Sequence, residues 1–195
     1  MRQESDQIRC FIAIELPDRI KDGLRQLESA LRANDPSRAR WVDPDGIHLT
    51  LKFLGNVETA RLQSVTGKMN EAAQTTDPFR LGIQELGAFP NLRRVQVVWV
   101  GIKGALERLQ ALQKALEAGM AEIGFPAENR PFTPHLTLSR LRETATTEQR
   151  QALGEFISEL KIETDLMFEV NSFSLMRSQL TSDGAVYSQL ASIDL

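Results

Sequence analysis

The chain has only two histidines, and each opens the same tetrapeptide: HLTL at 48–51 and HLTL again at 135–138. With ordinary usage of Leu and Thr, the shared LTL tail would arise by chance roughly once in a thousand. Strand geometry turns this repeat into a constraint on the fold. Successive side chains of a β-strand point to opposite faces. In HLTLKF, alternation puts Leu49, Leu51 and Phe53 on one face and His48, Thr50 and Lys52 on the other. In HLTLSR it puts Leu136 and Leu138 on the core face and His135, Thr137 and Ser139 opposite. Each motif is thus predicted to be a leucine-anchored strand that presents an imidazole beside a hydroxyl. Two such strands about a pseudo-twofold axis would enclose one cleft.

The remainder reads as one unit written twice. IRCFIAIE (8–15) is a predicted strand, followed by a helix with Ile20, Leu24, Leu27 and Leu31 along one stripe, stopped at Asn34-Asp35-Pro36. A short strand at Arg40-Trp41-Val42 and a turn at Asp43–Gly46 lead into the first motif. A helix near 58–74 buries Leu62, Val65 and Met69, and FRLGIQEL (79–86) closes the first half. After Phe89-Pro90-Asn91 the order restarts with VQVVWVGI (95–102). A helix carrying Leu106, Leu109, Leu112, Leu116, Met120 and Ile123 is capped by Gly124 in a left-handed turn. The second motif, a helix over 147–160 and a strand over 165–176 complete the second half. The spacing predicts a tandem duplication of about 88 residues, with halves at 8–88 and 93–176 and a closing strand near 184–193.

Composition narrows the function. Twenty-three basic residues against 26 acidic ones give a net charge of −3, which argues against coating a nucleic-acid backbone but leaves room for one phosphate or one strand end. The single cysteine, Cys10, excludes an internal disulfide framework and fits a reducing compartment. The polar start MRQESDQIRC shows no signal peptide, and no apolar run reaches the ~20 residues that cross a bilayer. These features predict a cytoplasmic protein without membrane association.

A lone histidine on a half-buried strand is more often structural than catalytic. Neither packing nor β-propensity, however, asks for the same His and Thr on the same face of two strands. Imidazole ionises near pH 6.5, so two of them can serve as a protonated donor and a neutral acceptor. Such a pair suits in-line displacement at phosphorus, with the hydroxyls donating to non-bridging oxygens. A strained cyclic phosphodiester would need no metal. Zinc catalysis requires a third protein ligand, and no His-x-His, His-Glu-x-x-His or Cys pair supplies one. No Gly-rich phosphate loop is present, and Cys10 lies in a predicted buried strand without a local base.

The segments RCFIAIELP (9–17), WVDPDGIHLTLKFLG (41–55), RPFTPHLTLSRLR (130–142) and FSLMRSQLTSDGAVYSQL (173–190) resemble the 2H phosphoesterase superfamily, and within it the RNA 2′,3′-cyclic phosphodiesterases, also called 2′-5′ RNA ligases. The resemblance runs nearly end to end. It implies a single bilobal α+β domain over 1–195, with two antiparallel sheets lining a central groove and helices outside. It also implies metal-independent, cofactor-free hydrolysis of a 2′,3′-cyclic phosphate on an RNA end or nucleotide. By position, His48 would be the general acid on the 3′ oxygen and His135 the base activating water, leaving a 2′-phosphate. Thr50 and Thr137 would hold phosphate oxygens, and Arg140 matches a phosphate-binding position of the family. Strict alternation would put Arg140 on the core face, unless the strand ends first or the side chain curls round. Arg130 and Phe132 are further candidate substrate contacts, with Arg38, Arg40 and Arg142 adding local positive charge and Trp41 and Tyr187 as candidate stacking surfaces. Three rival readings fit the same cleft. They are a 2′-5′ RNA ligase, an esterase for small cyclic nucleotides, and an RNA-end-binding module without turnover. Because the duplication already supplies two halves, a monomer is expected.

Overall fold

The computed structural model describes residues 7–160, 166–181 and 184–195. Nine strands and four helices are formed by these residues. The first half contains β1 (Gln7–Glu15), α1 (Asp18–Ala33), β2 (Arg40–Trp41), β3 (His48–Glu58), α2 (Leu62–Ala73) and β4 (Phe79–Phe89). The second contains β5 (Val97–Gly104), α3 (Leu106–Glu122), β6 (His135–Arg140), α4 (Thr147–Glu159), β7 (Met167–Val170) and β8 (Ser172–Thr181), and the closing strand is β9 (Gly184–Asp194).

The strands form two antiparallel sheets, ordered β3-β1-β8-β9 and β2-β6-β5-β4-β7. The predicted α+β class, with paired antiparallel sheets and flanking helices, is therefore the observed one. Setting β2 aside, the sequence β3-β1-β8-β9 in one sheet is matched by β6-β5-β4-β7 in the other. Each sheet nevertheless draws on both halves of the chain. β4, from the first half, pairs with β5, and β8, from the second, pairs with β1. The strand predicted over 165–176 is in fact two. β7 and β8 are parted at Asn171 and lie in different sheets. Its first residue, Asp165, lies outside the described residues.

One continuous hydrophobic core joins the two sheets to one face of each helix. α1 buries Ile20, Leu24 and Leu31 at the predicted spacing, with Asn34 as its C-cap. α3 buries Leu109, Leu112, Leu116 and Met120, and Gly124 follows with φ 86°, a left-handed position that a glycine adopts without Cβ strain. α4 opens with a capping box between Thr146 and Gln149. No described helix is long and apolar enough to cross a membrane.

Candidate active site

β3 and β6 begin at the two histidines, and their first three residues behave as alternation requires. Leu49 and Leu136 are fully buried, while His48, Thr50, His135 and Thr137 are half-buried. The next residue is also buried, but in both strands the pairing slips there. Opposite β1, Ala13 faces Thr50 and Ile12 faces Lys52, so Leu51 has no partner. Opposite β5, Trp99 faces Thr137 and Val98 faces Ser139, so Leu138 has none. Each leucine is a β-bulge, and one extra residue reverses the faces that follow it.

Three expectations change for this reason. Lys52, expected on the polar face, is 2 % exposed. Phe53, expected in the core, is 58 % exposed and lines the cleft. Ser139, expected beside Thr137 on the polar face, is fully buried. The bulge also resolves the placement of Arg140. Instead of entering the core, its side chain is exposed and lines the cleft with the two motifs.

A single cavity of about 530 Å³ is lined by His48, Thr50, His135, Thr137 and Arg140, with Phe53, Tyr187 and Arg9 among its other walls. Both histidines are held in the same way. Nδ1 of His48 lies 2.9 Å from the Gly46 carbonyl oxygen, and Nδ1 of His135 lies 2.7 Å from that of Thr133. A carbonyl can only accept, so Nδ1 must carry the proton in each ring, and the neutral imidazole keeps its free lone pair on Nε2. In both cases the carbonyl belongs to the residue two positions earlier.

Aromatic packing fixes the ring planes. His48 stacks on Phe11 at 4.5 Å between centroids and meets Tyr187 edge-on at 4.9 Å. His135 meets Phe89 edge-on at 4.9 Å and tilts against Trp99 at 6.2 Å. Phe11, Ala13 and Met176 form a small apolar floor on this face, separate from the main core. Burial in these surroundings pushes both imidazoles below their ordinary pKa of 6.5. The lesser influences differ. The Gly46 carbonyl and the Glu15 carboxylate draw His48 upward. The Thr133 carbonyl draws His135 upward, while the Arg140 guanidinium pushes it further down.

The remaining polar groups of the cleft are free to bind. Among the described residues, the hydroxyls of Thr50 and Thr137 and the guanidinium of Arg140 have no protein hydrogen-bond partner. No group of three or more His, Cys, Asp or Glu side chains is arranged to hold a metal among those residues. Arg130 is exposed and Phe132 packs partly against the core, and neither lines this cavity. Trp41 is engaged elsewhere, with Nε1 donating to Asp35 at 3.3 Å and the Arg32 guanidinium over its ring at 5.7 Å. Tyr187 does reach the cleft. Phe11, Phe89 and Trp99 were not anticipated as partners of the imidazoles. Phe11 and Trp99 lie on strands adjacent to the motif strands, and Phe89 lies one strand further out, opposite Val97 of β5.

Two sheets each offer an imidazole and a hydroxyl to one cavity, an arrangement with the groups that proton transfer on two sides of a bound phosphate would use. The chain belongs to the 2′-5′ RNA ligase superfamily, whose family model matches residues 16–181. An RNA 2′,3′-cyclic phosphodiesterase of Methanothermobacter thermautotrophicus is 32% identical over 185 residues, covering 94% of this chain and 97% of that protein. A crystal structure from Thermus thermophilus is similar with a TM-score of 0.79 at 27% identity, over 96% of this chain and 98% of the other. The crystal structure of E. coli LigT complexed with 3′-AMP gives a TM-score of 0.77 at 28% identity, over 97% of this chain and 98% of that one.

Proposed function

We propose that the cleft hydrolyses a 2′,3′-cyclic phosphate at an RNA or nucleotide end to a 2′-phosphate, with His48 as general acid and His135 as general base. Nε2 of His135 takes a proton from water, and the resulting hydroxide attacks phosphorus. The bond from phosphorus to O3′ breaks on the far side, and His48 delivers its Nε2 proton to that oxygen. The two Thr hydroxyls and Arg140 donate to the non-bridging oxygens, where charge is held during transfer.

One observation carries this reading. Two imidazoles with Nδ1 committed to a carbonyl line the same cavity as the unpartnered hydroxyls of Thr50 and Thr137 and the unpartnered guanidinium of Arg140. The division of roles is supported by the charges alongside. Glu15 favours the protonated form of His48, and Arg140 favours the neutral form of His135. The negative charge of a bound phosphodiester would further raise the pKa of His48 towards the protonated state that an acid needs. The relatives named for this activity point the same way. A monomer acting in the cytoplasm completes the proposal, in keeping with a buried, unpaired Cys10.

The direct test is product analysis on an oligonucleotide ending in a 2′,3′-cyclic phosphate. Wild type should yield the 2′-phosphate at a rate that chelator leaves unchanged. His48→Ala and His135→Ala should each lose ~10²–10⁴-fold. Full rate in both variants would refute the mechanism, and a product made only when a 5′-hydroxyl strand is supplied would assign the cleft to ligation instead.

A further inference from the structure

The ladder that delivers Arg140 to the cleft continues past it. β2 pairs with β6 so that Trp41 faces Ser139 and Arg40 faces Arg140. Two residues beyond the end of either strand stand Arg38 and Arg142. Together with Ser37, Thr144, Ala145 and Gln149 they line a separate cavity of about 310 Å³. Two residues of chain span at most about 7 Å, so this second cavity begins a short step from the Arg140 end of the cleft.

The cavity is built from pinned walls carrying unspent charge. Arg150 holds one wall, its guanidinium donating to the carbonyls of Arg142, Ala145 and Val95. The Gln149 side chain ties that wall to the other by donating to the Pro36 carbonyl at 3.1 Å. The Asp35 carboxylate fixes the opposite turn through the backbone N–H groups of Ser37 and Ala39. In this turn Arg38 has φ 51°, a left-handed conformation that is strained for a residue with a side chain. The guanidiniums of Arg38, Arg40 and Arg142 are all exposed, and none has a partner among the described residues. No nearby carboxylate forms an ion pair with them among the described residues, and Asp35 accepts instead from Ser37, Ala39 and Trp41.

We propose that Arg38 and Arg142 form a second phosphate site, which binds a backbone phosphodiester upstream of the cyclic phosphate held in the cleft. Arg40 lies between the two sites. In a chain of net charge −3, four arginines on two adjoining strands and the loops that continue them make a local track for a strand end. The inference rests on the proposed hydrolysis and extends it, since the preferred substrate becomes an oligonucleotide rather than a mononucleotide.

The test compares kcat/KM on a nucleoside 2′,3′-cyclic phosphate with that on di-, tri- and tetranucleotides ending in the same group. Wild type should gain roughly tenfold at the length that first places a phosphate in the second site, the size of one charge-assisted hydrogen bond. In Arg38→Gln/Arg142→Gln that gain should vanish while mononucleotide turnover stays unchanged. The slope of log(kcat/KM) against log[salt] on the tetranucleotide should fall by about one. A gain retained in the double variant, or no gain in wild type, would overturn the second site alone. Equal losses on every substrate would overturn it too, by showing disruption of the fold or the cleft. If inorganic phosphate inhibits mono- and tetranucleotide turnover alike, and the double variant relieves both, the pocket takes a free anion and the strand proposal fails. Wild type that opens no cyclic phosphate of any length would instead bring down the hydrolase reading.

Discussion

Phe53 and Arg140 occupy the same place on the two cleft strands, each the second residue after a bulged leucine and each turned by that bulge into the cleft. The motifs are alike up to this point and then differ in charge. At this place one motif strand offers the cavity an apolar ring and the other a guanidinium, so Arg140 is the cation that the motif strands themselves supply to a bound phosphate. Arg140→Gln should lower kcat/KM by ~10²–10³ with little change in thermal stability. Phe53→Ser gives the complementary check on the bulge. At 58 % exposure its loss should cost under about 0.5 kcal/mol by chemical denaturation. A core phenylalanine, as unbroken alternation would have it, would cost about 3–5 kcal/mol.

The pH profile should separate the two histidines. Turnover needs His135 neutral and His48 protonated, so kcat/KM rises as pH passes the pKa of His135 and falls as it passes that of His48. Burial lowers both from 6.5, which centres the free-enzyme bell on the acid side of that value. Glu15→Gln removes an influence that raises His48 and should move the alkaline limb to lower pH, leaving the acid limb in place. Arg140→Gln removes one that lowers His135 and should move the acid limb upward. Rates measured from about pH 4.5 to 9 with saturating and limiting substrate would resolve these shifts. Movement of the opposite limb in either variant would reverse the assignment of acid and base.

Periodicity located nearly all the elements, because helices and strands bury their apolar residues at spacings visible in one dimension. The stripe Ile20, Leu24, Leu31 is an example. The site was legible to the extent that it was repeated, in His48 and Thr50 and again in His135 and Thr137. What stayed hidden depends on pairing between distant segments. A bulge exists only relative to a neighbouring strand, so Leu51-Lys52-Phe53 and Leu138-Ser139-Arg140 carry no local sign of it. The exchange of β4 and β8 between sheets is equally a property of partners far away in sequence. So is the stacking of Phe11 on His48, across 37 residues.

The reversal that buries Lys52 creates a bond between the cleft strand and a helix of the other half. Lys52 Nζ donates to Glu117 Oε2 at 2.7 Å and to the Pro126 carbonyl at 3.0 Å. Glu117 is also approached by Gln113 Nε2 and the Glu128 backbone N–H. Lys52→Met should destabilise the protein by about 3 kcal/mol, because Glu117 keeps a partly buried charge without its cation. Adding Glu117→Gln should recover part of that loss, whereas two independent surface effects would simply add. Denaturant unfolding of the four members of the cycle measures the coupling. Activity below the melting point should stay within a few-fold of wild type, since neither residue lines the cleft.

Glu28 offers a separate handle on stability. It is 2 % exposed on α1, with Oε2 paired to Arg32 at 3.1 Å and Oε1 without a partner among the described residues. Burial pushes its pKa up to about 7 from an ordinary 4.5, with Arg32 only partly offsetting the effect. The folded state therefore keeps a proton that the unfolded chain has already released between these values. Stability from this group is complete below pH 4.5 and is lost as pH rises through about 7. Glu28→Gln, which cannot ionise, should raise unfolding free energy at about pH 8 by up to about 3 kcal/mol and change it little at about pH 4. Denaturation midpoints of the two proteins should thus diverge as pH increases. A constant gap across that range would mean that Glu28 is already ionised in the fold.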